Sequence, residues 1–275
     1  MMAFFPKLFP FLLVILTTSF APKLVNSDKT VSFDYPTFTG KESTLTLQGD
    51  AIIAYDRVYL TNYDSPKSAV GRIVHSTPVP IWDKTTGNVA SFVTSFNFIV
   101  ESFEGIVPAD GIIFFLAPPN SVIPNNAGGG YLGVVDRNNA FNQFVGVEFD
   151  NYHNGWDPDY PHIGIDINSL ISSKTVVWKP LTRFLVKVSI IYDSSTKTLS
   201  VALTDTSGQL ATVAQVVDLK AVLPETATIG ISASRSDLCR QLHNIHSWSF
   251  TSNLKTTIIS SSASKNMTSN GASYA

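Results

Sequence analysis

The chain contains 275 residues, of which 44% are hydrophobic and 15% are charged, and its formal net charge is −2. This length accommodates one large all-β domain, and the near-neutral charge, with no basic face, argues against nucleic acid or an anionic membrane as the partner. The single cysteine, Cys239, excludes an intrachain disulfide framework and is either a buried small apolar residue or an exposed thiol.

The N-terminus has the features of a secretory signal peptide, predicted to comprise residues 1–27. Lys7 precedes an apolar run from Leu8 to Leu16, and Val25-Asn26-Ser27 offers compact residues at a cleavage site. The apolar run is shorter than the roughly 20 residues that span a membrane, and no second hydrophobic segment follows it. The sequence therefore predicts entry into the secretory pathway and no membrane span.

Strand signals repeat from Val31 to Phe250, without a convincing long amphipathic helix. Alternating or continuous apolar segments are separated by turn residues such as Gly, Pro, Asn and Asp. The predicted strands include Ser91–Val100, Gly111–Ala117, Gly146–Asp150, Thr175–Trp178, Leu185–Tyr192, Thr198–Thr204, Thr212–Asp218, Ala227–Ala233 and Ile245–Phe250. This pattern predicts an all-β fold, a β-sandwich of the jelly-roll type, with its domain at residues 28–255.

The composition changes after Lys255. Residues 256–275 are rich in serine and poor in apolar residues, which predicts a flexible C-terminal tail. Asn266-Met267-Thr268 is the only N-glycosylation sequon in the chain, so Asn266 is the candidate glycosylated residue.

The stretch from Glu148 to His162 concentrates the residues expected of a binding site. Period-2 alternation places Glu148 and Asp150 on one face of a strand, with the apolar Val147 and Phe149 on the other. A loop follows, and His162 then begins a second apolar alternation. Gathering these polar groups is costly unless cations neutralise the carboxylates.

The donor types in this stretch predict two adjacent metal ions. Calcium takes oxygen ligands, whereas an imidazole beside carboxylates suits manganese or zinc. The predicted ligands of the transition ion are Glu148, Asp150, Asp157 and His162. The predicted ligands of calcium are Asp150, Asn154, Asp157 and a main-chain oxygen near Tyr152. The alternative interpretation is a polar strand edge with solvated carboxylates.

The chain resembles the legume lectins, the L-type plant lectins that bind sugars. The resemblance covers nearly everything from Val31 to about Leu254, and it is closest to the peanut-type galactose-binding members. It rests on the motifs Ser32-Phe33-Asp34, Ala109-Asp110-Gly111, Gly128-Gly129-Gly130-Tyr131-Leu132-Gly133, Val147-Glu148-Phe149-Asp150, His162-Ile163-Gly164-Ile165-Asp166-Ile167-Asn168-Ser169 and Ser247-Trp248-Ser249-Phe250. The resemblance implies a secreted lectin without catalysis that binds Mn²⁺ and Ca²⁺, with Ser172 holding a metal-bound water.

The resemblance also implies a shallow sugar site beside calcium, built from four loops. Asp110, after a cis peptide bond, would accept hydrogen bonds from two sugar hydroxyls. Gly130 would donate its backbone N–H, since the missing side chain lets the sugar approach closely. Asn154 would serve calcium with its oxygen and the sugar with its nitrogen, and Tyr152 would stack on the apolar face of the sugar. Trp156 is either packed or an exposed edge of an extended sugar site.

The fourth loop, Ser234 to Cys239, departs most from the peanut-type pattern. Ser236 matches a serine that contacts the sugar in that group, whereas Leu238 replaces a matching glycine. Because this loop sets the choice of monosaccharide in the family, we expect sugar binding with a weak preference for galactose over mannose.

Two rival functions remain open. Glu148 and Asp150 match the first half of the E-x-D-x-x-E motif of retaining glycosidases on a similar sandwich, but the position of the acid holds His153. The second rival is a lectin-like defence protein with lost or altered sugar binding, which the divergent fourth loop keeps open.

The resemblance further implies assembly and destination. Family members pair through flat sheets, so the expected partners are glycans or glycoproteins and further copies of the chain, in a homodimer or a homotetramer. The expected destination is the extracellular space (apoplast) or the vacuole.

Overall fold

The computed structural model describes residues 23–62, 68–139, 141–237, 239 and 241–260. The chain divides into a compact unit, Ser27–Thr256, and a second unit formed by Met1–Asn26 and Thr257–Ala275. Most of the predicted signal peptide, most of the predicted tail and the sequon at Asn266 lie outside the described residues. Within them, the first strand already begins at Lys23 and the last strand ends at Ser260.

The described residues form sixteen strands and two very short helical segments. The strands are β1 Lys23–Tyr35, β2 Leu45–Gly49, β3 Ile52–Ala54, β4 Arg57–Tyr59, β5 Ala69–His75, β6 Val79–Pro80, β7 Ser91–Ser102, β8 Gly111–Ala117, β9 Val145–Asp150, β10 His162–Ile167, β11 Lys174–Val177, β12 Val186–Asp193, β13 Thr198–Asp205, β14 Leu210–Val216, β15 Thr226–Arg235 and β16 Gln241–Ser260. The helical segments are a 3-10 turn, Gly129–Tyr131, and an α-helical turn, α1 Leu219–Val222.

The strands form two antiparallel sheets. The first sheet has the order β14-β13-β12-β7-β16-β4-β3, and β1 also pairs with β16. The second sheet has the order β11-β10-β9-β8-β15-β5-β2, and β6 also pairs with β15. The predicted all-β sandwich is therefore confirmed. Most strands predicted from alternation recur within two residues of the expected ends; β16 is the main exception, because it extends well beyond Ile245–Phe250 at both ends.

The main hydrophobic core lies between the two sheets. In β7, Phe92, Phe96 and Phe98 are buried, because alternation directs these positions toward the second sheet. The ring of Phe96 lies edge-on to Phe149 of β9, with centroids 5.9 Å apart. Trp178 meets Phe149 in the same edge-on geometry at 6.1 Å. Such pairs favour one arrangement of the two sheets over others.

A second, smaller core covers the outer face of the second sheet. Ile113 and Phe115 of β8 point away from the main core and pack against Leu132, Phe144 and other loop residues. Consequently the central strands of this sheet are buried on both faces, and every residue of β8 and β9 is buried. Polar side chains on this outer face are thus enclosed between a sheet and its covering loops.

No helix in the described part of the chain is long and apolar enough to cross a membrane.

Trp248 offers a direct test of the packing between sheets. It is fully buried, its ring lies edge-on to Phe33 at 4.9 Å, and its indole N–H donates to Thr94 Oγ1 at 3.0 Å. We expect Trp248→Ala to lower the free energy of unfolding by about 3–5 kcal/mol, since it leaves a large cavity. The control Ile191→Ala, at a position 46% exposed, should cost less than about 1 kcal/mol. Equal losses in denaturant titrations of the two variants would contradict this packing.

Candidate functional site

Antiparallel pairing brings the predicted site residues to one end of the second sheet. Strand β8 begins where β9 ends, because Gly111 pairs with Asp150. Asp150 in turn pairs with His162, the first residue of β10. On the other side of β8, Gly111 pairs with Ser234 near the end of β15. The loops that precede β8, join β9 to β10 and follow β15 therefore lie side by side.

The polar residues of β9 and β10 share the outer face of the second sheet. Glu148 is buried, and its Oε1 lies 2.9 Å from Nε2 of the buried His162. The hydroxyl of Ser172 donates to the same Glu148 oxygen at 2.6 Å and lies 2.7 Å from Oδ1 of Asp166. Alternation explains the grouping, because His162, Gly164 and Asp166 occupy the same face of β10. Four of the predicted residues, Glu148, Asp150, His162 and Ser172, thus belong to one cluster.

The loop after β9 adds further polar contacts beside this strand, made by Asp157, Asn154 and Tyr152. The carboxylate of Asp157 accepts a hydrogen bond from the backbone N–H of Asn154 at 2.7 Å, and Asp150 Oδ1 accepts one from the backbone N–H of Tyr152 at 2.7 Å. The loop after β9 is therefore folded around its own acidic side chains, and the bond from Tyr152 to Asp150 is that of an Asx-type turn.

Burial and mutual repulsion disfavour the ionised forms of the carboxyl groups in this cluster. Burial, reinforced by the charge of Glu148, raises the pKa of Asp150 well above its ordinary value. Burial and Glu148 likewise raise the pKa of Asp166. Burial raises the pKa of Asp157 to about 6. Since desolvation and like charges both disfavour carboxylates, a cation between them would relieve the repulsion.

The chemistry of the donors suits the predicted ions, although the side chains are not arranged around an ion. Within the described ranges, no group of three or more His, Cys, Asp or Glu side chains could hold a metal ion as it stands. Glu148 is engaged by His162 and Ser172, and these contacts would have to be exchanged for metal bonds. Among the buried side-chain oxygens without a hydrogen-bond partner in the described residues are Oδ2 of Asp110, Oδ1 of Asn154 and Oδ2 of Asp166. Free oxygens on carboxylates and an amide are ligands that hard cations accept.

Asp110 lies at the base of the site. Its peptide bond with Ala109 is cis, as the resemblance implies. The backbone N–H of Asp110 donates to the carbonyl of Ser234 at 3.1 Å, and its carbonyl accepts from the N–H of Asn151 at 3.2 Å. Burial raises the pKa of the Asp110 carboxyl to about 6, while hydrogen bonds with Ser236 oppose the rise. The main chain of Asp110 is thus held by β15 and by the loop after β9.

Gly130 and Asn154 are in close contact. A Cβ atom built on Gly130 would overlap the side-chain amide of Asn154, so only glycine leaves room for both residues. A Cβ built on the neighbouring Gly129 would lie 3.9 Å from Oδ2 of Asp110. Asp110, Gly130 and Asn154, predicted from three separate loops, therefore converge in the structure.

An open depression of about 670 Å³ is lined by neighbours of these residues, although Asp110, Gly130 and Asn154 do not themselves line it. Its lining includes Tyr152 and Ser236 of the predicted sugar site, together with Gly129, which precedes Gly130. Arg137, which also lines it, has its guanidinium carbon 6.0 Å from the centre of the Tyr131 ring. The remaining lining residues that the structure describes are Ser68, Asn126, Gly128, Asp237 and Cys239.

The fourth loop is tied to its surroundings by polar contacts. Asp237 accepts a hydrogen bond from the backbone N–H of Ser68. Arg235 is buried, and its Nε donates to the carbonyl of Asn62 at 2.9 Å. Cys239 is a buried free cysteine, which agrees with the first of its two interpretations. Leu238, the predicted sugar contact, lies outside the described residues.

Sequence reasoning missed several residues of the site. Asp166 stands in a quoted motif, and its place two residues after Gly164 could have assigned it to the same face as His162. Trp156 packs near the second core, with its ring 5.4 Å from that of Tyr131, which favours the packed alternative. Asn151 had no sequence signal, because its bonds run to Asp110 and, through its amide, to Gln241 Oε1 at 2.7 Å.

Comparison with known proteins agrees with this geometry. Residues 30–266 match the family model described as legume lectin domain. The chain is 50% identical to a galactose-binding lectin of Arachis hypogaea over 251 residues, which cover 90% of this chain and 91% of that protein. It is 50% identical to a non-seed lectin of Pisum sativum over 240 residues, covering 85% and 90%. The solved seed lectin of Lotus tetragonolobus aligns with a TM-score of 0.80 and 48% identity, covering 82% of this chain and 100% of that one.

Close packing around Glu148 leads to a prediction about glycines. A Cβ on Gly164 would overlap the hydroxyl of Ser172 and the carboxylate of Glu148. We therefore expect Gly164→Ala to lower the free energy of unfolding by about 1–3 kcal/mol, the usual cost of overpacking. Gly155 provides the matched control, because a Cβ there meets nothing within 4 Å and Gly155→Ala should change stability by less than about 0.5 kcal/mol. Thermal and denaturant unfolding would measure both, and an undisturbed Gly164→Ala protein would argue against this packing.

Proposed function

Because the chain belongs to the legume lectin family and is a carbohydrate-binding lectin, we propose that it binds galactose-type sugars in a site that depends on Ca²⁺ and Mn²⁺. The observation that supports the site most directly is the convergence of Asp110, Gly130 and Asn154, close to an open depression lined by Tyr152 and Ser236. The buried Oδ2 of Asp110 has no hydrogen-bond partner, and an unpaired buried acceptor is costly. A sugar hydroxyl would donate to it.

Each residue of the proposed sugar site has a separate task. The Asp110 carboxylate accepts from sugar hydroxyls, and its burial strengthens those hydrogen bonds. Gly130 donates its backbone N–H at a point where no side chain keeps the sugar away. The amide of Asn154 donates from its nitrogen, and the ring of Tyr152 covers an apolar face of the sugar. Ser236 and Leu238 of the fourth loop complete the site and discriminate between sugars.

The proposed metal ligands follow the two donor sets. Glu148, Asp150, Asp157 and His162 would hold a transition ion such as Mn²⁺, with Ser172 bound through a water. Asp150, Asn154, Asp157 and the main-chain oxygen of Tyr152 would hold Ca²⁺. The ions, once bound, supply positive charge that offsets the repulsion among the buried carboxylates. Asn154 is common to the calcium set and the sugar site, and this shared residue is our reason for proposing that sugar binding depends on metal.

The preference for galactose is a proposal supported by the relative from Arachis hypogaea, which is named a galactose-binding lectin. A relative from Centrolobium tomentosum at 43% identity is named mannose/glucose-specific. Family membership alone thus does not identify the preferred sugar. The chain is more identical to the lectin of Arachis hypogaea, and this favours galactose as the preferred sugar. The divergent fourth loop is the part of the site on which the choice depends.

We further propose that the protein has no catalytic activity, enters the secretory pathway and resides in the extracellular space or the vacuole. Glu148, the candidate nucleophile of the glycosidase alternative, is engaged by His162 and Ser172 rather than facing the depression. Assembly into a homodimer or homotetramer would present several sugar sites and raise avidity for glycans and glycoproteins.

Calorimetry with galactose and with mannose tests the proposed sugar site. We expect galactose to bind more tightly, and binding to disappear after chelation and to return with Ca²⁺ plus Mn²⁺. Asp110→Ala should abolish binding, because it removes the buried acceptor, and Asn154→Asp should do so by replacing the amide donor. Asp218→Ala removes an exposed carboxylate paired with Lys197 and should bind normally. Unchanged affinity in Asp110→Ala would overturn the assignment.

Thermal unfolding tests the proposed metal site. Saturating Ca²⁺ and Mn²⁺ should raise Tm by at least about 5–10 °C, since each occupied site contributes about 2.7 kcal/mol at a hundredfold excess over Kd. Asp150→Asn should remove most of this rise, because it deletes a ligand of both ions. In chelator the same variant should melt no lower than the wild type, since it also removes a repulsive charge near Glu148 and Asp157.

The control for the metal experiment is Asp218→Asn, at a surface position far from the site in sequence and in sheet order. Asp218→Asn should show the same rise in Tm as the wild type when Ca²⁺ and Mn²⁺ are added. A wild-type protein whose Tm is indifferent to both cations would contradict the proposed metal site.

A further inference from the structure

The glycine-rich loop Gly128–Gly133, here called the Gly loop, has a backbone that needs external support. Gly129 has φ 63°, Leu132 has φ 51° and Gly133 has φ 70°. This left-handed region is unfavourable for a residue with a side chain such as Leu132. Such conformations persist where the surrounding structure enforces them. The Gly loop also presents Gly130, so its support bears on sugar binding.

Two buried serines of β15 support the Gly loop from the sheet below. The hydroxyl of Ser234 donates to the carbonyl of Gly129. The hydroxyl of Ser232 donates to the carbonyl of Leu132 at 2.6 Å. Both serines are fully buried on the outer face of the second sheet. Their spacing of two residues places both hydroxyls on one face of a rigid central strand.

A buried arginine of β5 supports the end of the Gly loop. Arg72 is fully buried, and its Nη2 donates to the carbonyl of Gly133. Its guanidinium lies over the Phe115 ring at 4.6 Å, and Nη1 lies 3.3 Å from Ser121 Oγ. No carboxylate in the described part of the chain forms an ion pair with it. Burying a guanidinium among neutral groups is costly; the bonds to Gly133 and Ser121 offset part of this cost, while the buried Nε has no hydrogen-bond partner among the described residues.

Strand pairing places these three side chains next to one another. Ser232 pairs with Arg72 across β15 and β5, so their side chains are neighbours on one face. Ser234 has a second connection, because its own carbonyl accepts from the backbone N–H of Asp110. One residue therefore joins the Gly loop, through its side chain, to Asp110, through its main chain.

We propose that Ser234, Ser232 and Arg72 form a carbonyl clamp whose residues are positioning residues for sugar binding. The clamp holds the carbonyls of the Gly loop and thereby fixes the direction of the Gly130 N–H relative to the Asp110 carboxylate. The proposal rests on the proposed sugar site for its functional consequence. Ser234 is its central member, since it alone contacts both loops.

Ser234→Ala is the first test, because it removes the hydroxyl and leaves the main-chain bond to Asp110 in place. We expect its affinity for galactose to fall at least about tenfold in calorimetry with Ca²⁺ and Mn²⁺ present. Tyr192→Phe is the matched control, because it also deletes one buried hydroxyl that donates to a carbonyl, that of Val217 at 2.9 Å. Tyr192→Phe should bind galactose as the wild type does, even if both variants lose similar stability.

A panel of monodeoxygalactoses separates positioning from general destabilisation. In the wild type, removing the hydroxyl that Gly130 contacts should weaken binding markedly. In Ser234→Ala, removing that hydroxyl should weaken binding by less than about threefold. Removing the hydroxyls bound to Asp110 should weaken binding by the same factor as in the wild type. A uniform loss of affinity for every sugar in the panel would indicate a merely structural role and overturn the proposal.

Amide hydrogen exchange tests the clamp without any sugar. Ser234→Ala should accelerate exchange of the Gly loop amides at least about tenfold relative to wild type and leave strand β12 unchanged. Ser232→Ala provides a second variant and should accelerate exchange around Leu132. Unchanged exchange in the Gly loop of both variants would overturn the clamp. If the wild type bound neither galactose nor mannose, the proposed sugar preference would fail, and exchange would still decide the clamp.

Discussion

The constraint on which the site depends is the burial of several carboxylates on the outer face of one β-sheet. Glu148, Asp150 and Asp166 are enclosed between this sheet and its loops, and burial, reinforced by the nearby charge of Glu148, raises the pKa of both aspartates. A surface cluster would be screened by water, but an enclosed one is not. The loops that enclose the charge also form the depression. The stability of the site and the shape of its ligand pocket thus depend on the same buried charge.

The two faces of the second sheet have different roles, since one packs in the main core and the other carries the polar residues of the site. Positions such as Val147 and Phe149 pack against the first sheet and build the main core, whereas Glu148 and Asp150, one residue away in sequence, build the site. A β-strand allows this division because successive side chains point to opposite faces. The core therefore fixes the strand positions, and the strand positions fix the relative places of polar groups that come from distant parts of the chain.

Different contacts hold the loops of the site in the described part of the chain. Asp110 is bonded on both sides of its peptide, to Ser234 and Asn151, and the Gly loop is bonded through its carbonyls to β15 and β5. These contacts hold Asp110 and the Gly loop, the part of the site proposed to bind a sugar of any type. The fourth loop, which is expected to choose among sugars, is held by contacts of its own, from Asp237 to the backbone of Ser68 and from Arg235 to the carbonyl of Asn62. Binding residues carried on loops and positioned by a rigid scaffold are a common arrangement.

Sequence alone determined the fold class, most strands and the residue types of the site, because these depend on local alternation and on short motifs. Period-2 patterns identified β8 and β9, and the spacing from Glu148 to His162 identified the proposed ligands. The meeting of Asp110, Gly130 and Asn154 was implied by the family resemblance and by no local pattern. Only the tertiary structure decided that Asp166 joins the acidic cluster and that Arg72 and Ser234 support the Gly loop. These contacts follow from strand order and register between residues far apart in sequence, such as Arg72 and Ser232, which pair across β5 and β15 at a separation of 160 positions. No local pattern encodes such pairing, because register is set by the whole core.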